Sequence, residues 1–169
     1  MNHLTSPHKS SRSSQRDGFS LVEMITTVGI LGVLAAMSVY AMRVSIGQSK
    51  KVIANNTKET LNTAVHRFNT ANYELYWAPI PLSGQDEMVV LRTIQYRDPA
   101  APKPGAPYVR IDWNPVISNN INDYRLQWKG TLFALVEPGT AGYGLKVDLE
   151  GGDLGVPYTF PPNFSMAGK

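Results

Sequence analysis

The sequence has 169 residues, of which 16 are lysine or arginine, 13 are aspartate or glutamate and none is cysteine. This length holds one modest domain rather than two, and the lack of cysteine excludes disulfides and thiol chemistry. Three of the basic residues lie in residues 1–18, and residues 19–169 carry 13 basic and 12 acidic residues. Such a balanced charge gives no support to a nucleic-acid partner.

The first segment, residues 1–18, is rich in serine, histidine and basic residues, has no apolar pattern and is interpreted as an unstructured leader. The next 24 residues, 19–42, contain one charge, Glu23, and no proline. As a helix that rises about 1.5 Å per residue, this run extends roughly 36 Å, which exceeds the roughly 30 Å of a bilayer's hydrocarbon core. The run therefore predicts a membrane-spanning helix.

Two other kinds of segment share this composition. A secretory signal peptide has a shorter apolar core and a small-residue cleavage site after it, whereas the candidate processing residue here, Gly18, precedes the core. A buried helix of a soluble protein is the second alternative, but 24 residues that are apolar on all sides are too many for a chain of 169 residues to hide. Length and pattern favour the membrane helix.

The start of the apolar run carries a specific motif. It reads Gly18-Phe19-Ser20-Leu21-Val22-Glu23. This segment and the apolar residues after it resemble the class III signal of type IV pilins and type II secretion pseudopilins. The resemblance implies that prepilin peptidase cleaves between Gly18 and Phe19 and methylates Phe19. It also implies an inner-membrane protein with a cytoplasmic leader and a domain on the periplasmic or extracellular side.

Glu23 is the only charged residue of the predicted membrane helix. A carboxylate at mid-bilayer costs about 2.5–3.5 kcal/mol on insertion scales and normally marks a function or a partner. After cleavage Glu23 becomes the fifth residue of the mature chain. There its carboxylate can pair with the positively charged amine of Phe19, either in its own chain or in a neighbouring subunit. Small residues that let helices approach follow at Gly29, Gly32, Ala35 and Ala36. Small residues that simply face lipid are the alternative.

Residues 43–73 contain no proline and repeat apolar residues at three- and four-residue steps, which places one stripe on a helix. The stripe comprises Val44, Ile53, Ala54, Thr57, Leu61, Ala64, Val65, Phe68 and Ala71. The opposite face carries Lys50, Lys51, Asn55, Lys58, Asn62 and Arg67. We therefore expect one helix over residues 19–73, in which residues 19–47 form the membrane or filament-core half. Residues 48–169 are expected to form a globular domain.

Shorter elements are predicted next. Ser83 and Asp86 have the spacing of a capping box at the start of a short helix, which Asp98 and Pro99 end. Residues 99–107 hold four prolines and a glycine and predict an extended loop. A proline-rich recognition motif is the alternative for this loop.

A small antiparallel sheet is predicted after the loop. Residues 124–128 and 131–136 are expected to form a hairpin around a two-residue turn at Lys129 and Gly130. Residues 145–149 are expected to form a third strand, residues 108–113 a fourth, and residues 151–169 a loop. A long helix on a small antiparallel sheet is an α+β fold. The resemblance implies the same pilin-like architecture.

Few residues of the domain suggest chemistry. His66 stands alone, without a second histidine at the spacing of a zinc hydrolase. Asp148, Glu150 and Asp153 alternate around two glycines and form a weak candidate Ca²⁺ site, since that ion takes oxygen ligands. The resemblance also implies this possibility, because major secretion pseudopilins bind calcium near the C-terminus. A polar turn after a strand has the same appearance, and no cofactor is expected.

The sequence thus predicts a structural subunit rather than an enzyme. The resemblance implies a type IV pilus-like filament or a type II secretion pseudopilus, in which processed chains polymerise through their N-terminal helices. The expected partners are prepilin peptidase, the inner membrane and other pilin or pseudopilin subunits. The alternative is a single-pass membrane-tethered binding or enzymatic domain with a fortuitous leader match.

Overall fold

The computed structural model describes residues 19–80, 82–151 and 154–168. The expected leader, residues 1–18, lies outside the described residues. The chain divides into two compact units, of which one ends at Val44 and the other begins at Ser45. The described residues form two helices and a four-stranded antiparallel sheet, which confirms the predicted α+β class.

Helix α1, Leu21–Ala71, supplies residues to both units. It begins two residues later and ends two residues earlier than predicted. At its C-terminal end, Asn69 Oδ1 accepts a hydrogen bond from the Leu75 amide at 3.0 Å. Asn72 Nδ2 donates to the Phe68 carbonyl at 3.2 Å. The Phe68 carbonyl also accepts from the Asn72 amide at 2.9 Å, so the two asparagines join the last turn of the helix to the segment that follows it.

The core of the second unit contains the middle of the predicted stripe. The stripe residues that are at most 3% exposed are Ala54, Leu61, Ala64, Val65 and Phe68. They pack in one cluster with apolar residues of α2 and of the sheet. Ile53, also predicted for the stripe, remains 38% exposed. The stripe is therefore confirmed over its central turns only.

Asn62 was predicted to face solvent, and this prediction is wrong. Its Nδ2 donates to the Phe133 carbonyl at 3.0 Å, and its Oδ1 accepts from the Phe133 amide at 2.8 Å. Phe133 belongs to an edge strand, whose outward backbone groups need partners from elsewhere in the protein. Helical periodicity cannot show such a partner, because it comes from a residue 71 positions away.

Helix α2, Gln85–Gln95, lies close to its predicted place but begins differently. Its N-cap residue is Gly84, with no side-chain cap, so the predicted Ser83–Asp86 capping box is wrong. Asp86 is buried, and its Oδ2 accepts a hydrogen bond from the Ile80 amide at 2.8 Å. The Asp86 carboxylate therefore binds the loop before the helix and does not cap the helix. Ser83 Oγ accepts a hydrogen bond from the Gln85 amide at 3.3 Å.

The sheet has the strand order β1-β4-β2-β3, and all neighbouring strands are antiparallel. Its strands are β1 Ile117–Ser118, β2 Arg125–Trp128, β3 Phe133–Val136 and β4 Gly144–Lys146. The third predicted strand is therefore confirmed only in its first part. Leu126 pairs with Leu135 on one side and with Leu145 on the other. This row of leucines crosses the centre of the sheet.

The predicted hairpin is present, but its turn is shifted by one residue. Trp128 pairs with Phe133, and the Lys129 amide bonds to the Leu132 carbonyl at 2.9 Å. The two central turn residues are consequently Gly130 and Thr131 rather than Lys129 and Gly130. Gly130 has a φ of 97°, which is the left-handed conformation that a tight hairpin turn assigns to its first central residue.

The fourth strand was predicted at residues 108–113, and this prediction is wrong. The strand is Ile117–Ser118, and Trp113 pairs with Leu154 in an isolated β-bridge that belongs to no strand. The ring of Tyr108 packs against Phe68, and the Tyr108 amide bonds to the Ile94 carbonyl. This segment therefore covers the helices instead of extending the sheet. The described parts of residues 99–107 and 151–168 contain no helix or named strand, as predicted.

Candidate functional site

The first described residues cap helix α1. The Ser20 amide donates a hydrogen bond to Glu23 Oε2 at 3.0 Å, and Ser20 Oγ accepts one from the Val22 amide at 3.2 Å. A serine at the N-cap whose amide is satisfied by a glutamate three residues later is a capping box. The helix consequently begins at Leu21. This role was not predicted, although the Ser-x-x-Glu spacing is a sequence signal for it.

The predicted processing residues lie at the edge of the described chain. Gly18 lies outside the described residues. Phe19, the predicted methylation site, precedes the N-cap, lies outside the helix and is 80% exposed. Phe19 therefore lies before the capped start of the helix, and the side chain of Phe19 is accessible.

Glu23 uses one of its two carboxylate oxygens in the cap. Its Oε2 binds the Ser20 amide, whereas its Oε1 has no hydrogen-bond partner among the described residues. The nitrogen of Phe19 is a peptide nitrogen in the full chain and becomes an amine only after cleavage. The predicted pairing of Glu23 with that amine stays a prediction. One oxygen of Glu23 remains available for it.

The surface of the first unit is apolar and uncovered. From Phe19 to Met42, the large apolar side chains are each exposed by at least 54%. Helix α1 is long and apolar enough to cross a membrane, and its most apolar stretch is not buried in the protein. Surface of this kind needs lipid or another protein to cover it, because monomeric soluble proteins rarely expose large contiguous apolar patches.

The hydroxyl groups of Thr26, Thr27 and Ser38 are satisfied inside the helix. Thr27 Oγ1 donates to the Glu23 carbonyl at 2.7 Å, and Ser38 Oγ donates to the Leu34 carbonyl at 2.8 Å. Thr26 Oγ1 donates to the Val22 carbonyl at 2.8 Å in the same way. Bonding to the preceding turn lets these residues lie in an apolar medium without an unpaired donor. Glu23 is the charged residue of this segment.

The small residues of the segment face open space. A Cβ atom added at Gly29 or Gly32 would meet no described atom within 4 Å outside the helix's own nearby backbone. Packing within the chain therefore does not require glycine at these positions. Close packing of this face against another helix stays a prediction.

The chemical candidates of the second unit are separate from this site. His66 is exposed, and the described residues contain no group of three or more His, Cys, Asp or Glu side chains that could hold a metal ion. Asp148 Oδ1 accepts a hydrogen bond from the Glu150 amide at 2.8 Å, as in a polar turn. Asp153 lies outside the described residues, so the calcium site predicted from Asp148, Glu150 and Asp153 stays a prediction.

Comparison with known proteins identifies the same segment. A family model described as the prokaryotic N-terminal methylation motif matches residues 13–39, which include Gly18, Phe19 and Glu23. No curated protein and no solved structure matches the chain. The motif supports a pilin-like protein that prepilin peptidase processes, and the exposed apolar helix is consistent with a single-pass membrane anchor. The chain thus carries the N-terminal methylation signal of type IV pilins and pseudopilins.

Proposed function

We propose that this protein is a structural subunit of a type IV pilus-like filament or of a type II secretion pseudopilus. Prepilin peptidase cleaves it between Gly18 and Phe19 and methylates Phe19. The mature chains leave the inner membrane and polymerise through the first half of α1. The second unit lies on the periplasmic or extracellular side. The function is assembly, and it requires no catalysis by the subunit.

The observation that carries the proposal is the apolar surface of the first unit, found together with the methylation motif. Lipid covers this surface before assembly, and neighbouring helices cover it afterwards. Replacing lipid contacts with helix contacts gains little hydrophobic free energy, because lipid tails are also apolar. Close packing and polar contacts must therefore drive the assembly of the helices. The open space at Gly29 and Gly32 supports close packing.

Glu23 supplies the polar contact in this proposal. Its Oε2 satisfies the Ser20 amide, which helps the start of the helix tolerate an apolar medium. Its Oε1 accepts a hydrogen bond from the N-terminal amine of Phe19 of a neighbouring subunit. Where water is excluded, attraction between opposite charges is much stronger than in bulk solvent. The contact therefore favours one axial register of the subunits over all others.

The intact mass of the membrane-extracted protein tests the proposal. We expect the mass of residues 19–169 plus one methyl group. Expression in cells that lack prepilin peptidase is the control, and there the full-length mass is expected. A full-length mass in cells that contain the peptidase would instead support the membrane-tethered domain with a fortuitous leader match.

A further inference from the structure

A cavity of about 340 Å³ opens on the second unit, beside the C-terminal end of α1, the residues after α2 and the proline-rich loop. This volume lies within the range of roughly 300–1,000 Å³ that small-molecule sites occupy. Three tyrosines, Tyr73, Tyr96 and Tyr108, line it together with Phe68. The proposed assembly function makes no use of this cavity.

The aromatic walls of the cavity are fixed. The rings of Tyr73 and Tyr108 lie 5.1 and 5.7 Å from the ring of Phe68 and are inclined to it by 87° and 80°. Phe68 is 1% exposed and forms the inner end. Tyr73 Oη donates to the Ala167 carbonyl at 2.7 Å, and Tyr108 Oη accepts from Asn72 Nδ2 at 3.1 Å. These bonds hold the two tyrosine rings in place before any ligand arrives.

The polar groups of the cavity are both donors and acceptors. Asn72 uses Nδ2 in two hydrogen bonds within the protein, which leaves Oδ1 as an acceptor. Asp98 binds two backbone amides of the loop through Oδ1, which leaves Oδ2. Lys103 Nζ has no partner in the described part of the chain and is a donor. The hydroxyl of Tyr96 has no partner in the described part of the chain and can donate or accept. The site thus offers acceptors at Asn72 and Asp98, a donor at Lys103 and a hydroxyl at Tyr96, with one charge of each sign.

We propose that this cavity binds a neutral saccharide ring. A sugar ring presents C–H groups that pack on aromatic faces, and its hydroxyls both donate and accept hydrogen bonds. An anion is opposed by Asp98, and a cation is opposed by Lys103. A wholly apolar ligand would desolvate both charged groups without giving either one a partner. A neutral ligand that carries many hydroxyls can give a partner to each of these groups and pack its C–H faces on the aromatic walls.

The test uses the mature full-length protein in phosphatidylglycerol nanodiscs, with ¹³C-labelled methionine methyl groups. Met166 lines the cavity, whereas Met88 packs against the core and does not line it. The probes are the methyl α-pyranosides of glucose, galactose and mannose, and N-acetylglucosamine, each titrated separately. We expect a saturable shift of the Met166 signal with at least one probe, with a dissociation constant of about 1 mM. The Met88 signal should not move.

Two variants and one control locate the binding. Ala101→Trp places a large ring in the cavity from its exposed loop and should abolish the Met166 shift. Lys103→Ala removes the exposed donor and should weaken binding several-fold, whereas Lys129→Ala, an exposed lysine outside the cavity, should have no effect. The proposal is overturned if no probe moves Met166, if the shift survives Ala101→Trp, or if phosphate or tetramethylammonium moves Met166 as strongly as the sugars.

Discussion

Glu87 Oε1 accepts a hydrogen bond from the backbone amide of Trp128 at 3.0 Å, and both residues are buried. Strand β4 pairs with β2 only at Arg125 and Leu126, so the Trp128 amide lies beyond the end of that ladder. A longer β4 would have offered a backbone carbonyl to this amide. Glu87 supplies the acceptor in its place. Its other oxygen is buried beside Asp86. The sheet and α2 are therefore joined through a carboxyl group.

This link should make the stability of the second unit depend on pH. Burial, and secondly the neighbouring carboxyl group of Asp86, raise the pKa of Glu87 to about 7. A raised folded-state pKa gives stability that is complete below the unfolded value near 4.5 and is lost as pH rises through about 7. We expect unfolding free energy to fall on the order of 1–3 kcal/mol from about pH 5 to about pH 8. Thermal melting followed by tryptophan fluorescence measures it.

Glu87→Gln is the matched control for this pH dependence. The amide oxygen can accept from Trp128, and the amide nitrogen can donate to Asp86 without titrating. The variant should therefore melt at nearly the same temperature across the range. An unchanged pH slope in Glu87→Gln would show that another group is responsible.

Asn62→Ala should destabilise the second unit by about 1–3 kcal/mol, because it leaves the amide and carbonyl of buried Phe133 without their partner. Asn56→Ala is the control, since Asn56 lies on the same helix, is exposed, and its side chain has no hydrogen-bond partner among the described residues. Surface changes of that kind stay within roughly 0.5 kcal/mol. Equal effects of the two substitutions on the melting temperature would contradict the pairing of α1 with the edge of β3.

Gly18→Val should leave uncleaved precursor in the membrane. A residue without a side chain before the scissile bond suits a narrow peptidase pocket, which the valine side chain would fill. The ratio of precursor to mature protein on immunoblots measures the effect. Ser14→Val, a change elsewhere in the leader, should process normally. Normal maturation of Gly18→Val would exclude the assignment of this peptidase site.

Residues 48–169 should fold without the preceding half of α1. The stripe residues from Ala54 to Phe68 are covered by α2 and the sheet, so that little contiguous apolar surface remains on this part of the helix. A well-dispersed amide spectrum in detergent-free buffer is the expected result. Aggregation under the same conditions would mean that exposed residues such as Val52 and Ile53 need a cover.

The sequence predicted the features that have a local cause. Helix α1 follows from apolar periodicity and the absence of proline, and the hairpin follows from alternation around Gly130. Strand β1 has only two residues and pairs with a strand 27 positions further on, so no local pattern marks it. Buried Asp86, Glu87 and Arg125 were not predicted to be buried, because most of their hydrogen-bond partners are backbone groups of other elements.

The sequence named the residues of the candidate site, whose roles stay predictions, but it did not predict the hydrogen bond that Glu23 makes at the start of the helix. The motif placed Glu23 in the apolar segment, and its charge suggested an intermolecular role. The bond to the Ser20 amide shows that one oxygen already has a local use. A pairing between Glu23 and an amine of another subunit involves one charged residue and no repeating pattern, so the assembly role of Glu23 needs a direct test.

Substitutions at Glu23 and Ser20 distinguish the effect of the helix cap on assembly from the effect of the Glu23 charge. Glu23→Ala removes both, Glu23→Gln keeps an acceptor for the Ser20 amide but no charge, and Ser20→Ala keeps the charge but removes the bond to the Val22 amide. Synthesis, insertion and cleavage should survive in all three variants, because removal of the Glu23 charge does not hinder insertion and Ser20→Ala introduces no charge. Ser20→Ala should assemble nearly as well as the unmodified protein.

The most direct test of polymerisation through Glu23 is the yield of filaments in sheared or secreted fractions, relative to mature subunit in the membrane. We expect Glu23→Ala to lower this ratio about tenfold or more, which corresponds to a loss of about 1.4 kcal/mol or more per subunit, with Glu23→Gln intermediate. An unchanged ratio in Glu23→Ala, with normal processing, would contradict the pairing of Glu23 with the Phe19 amine of the next subunit.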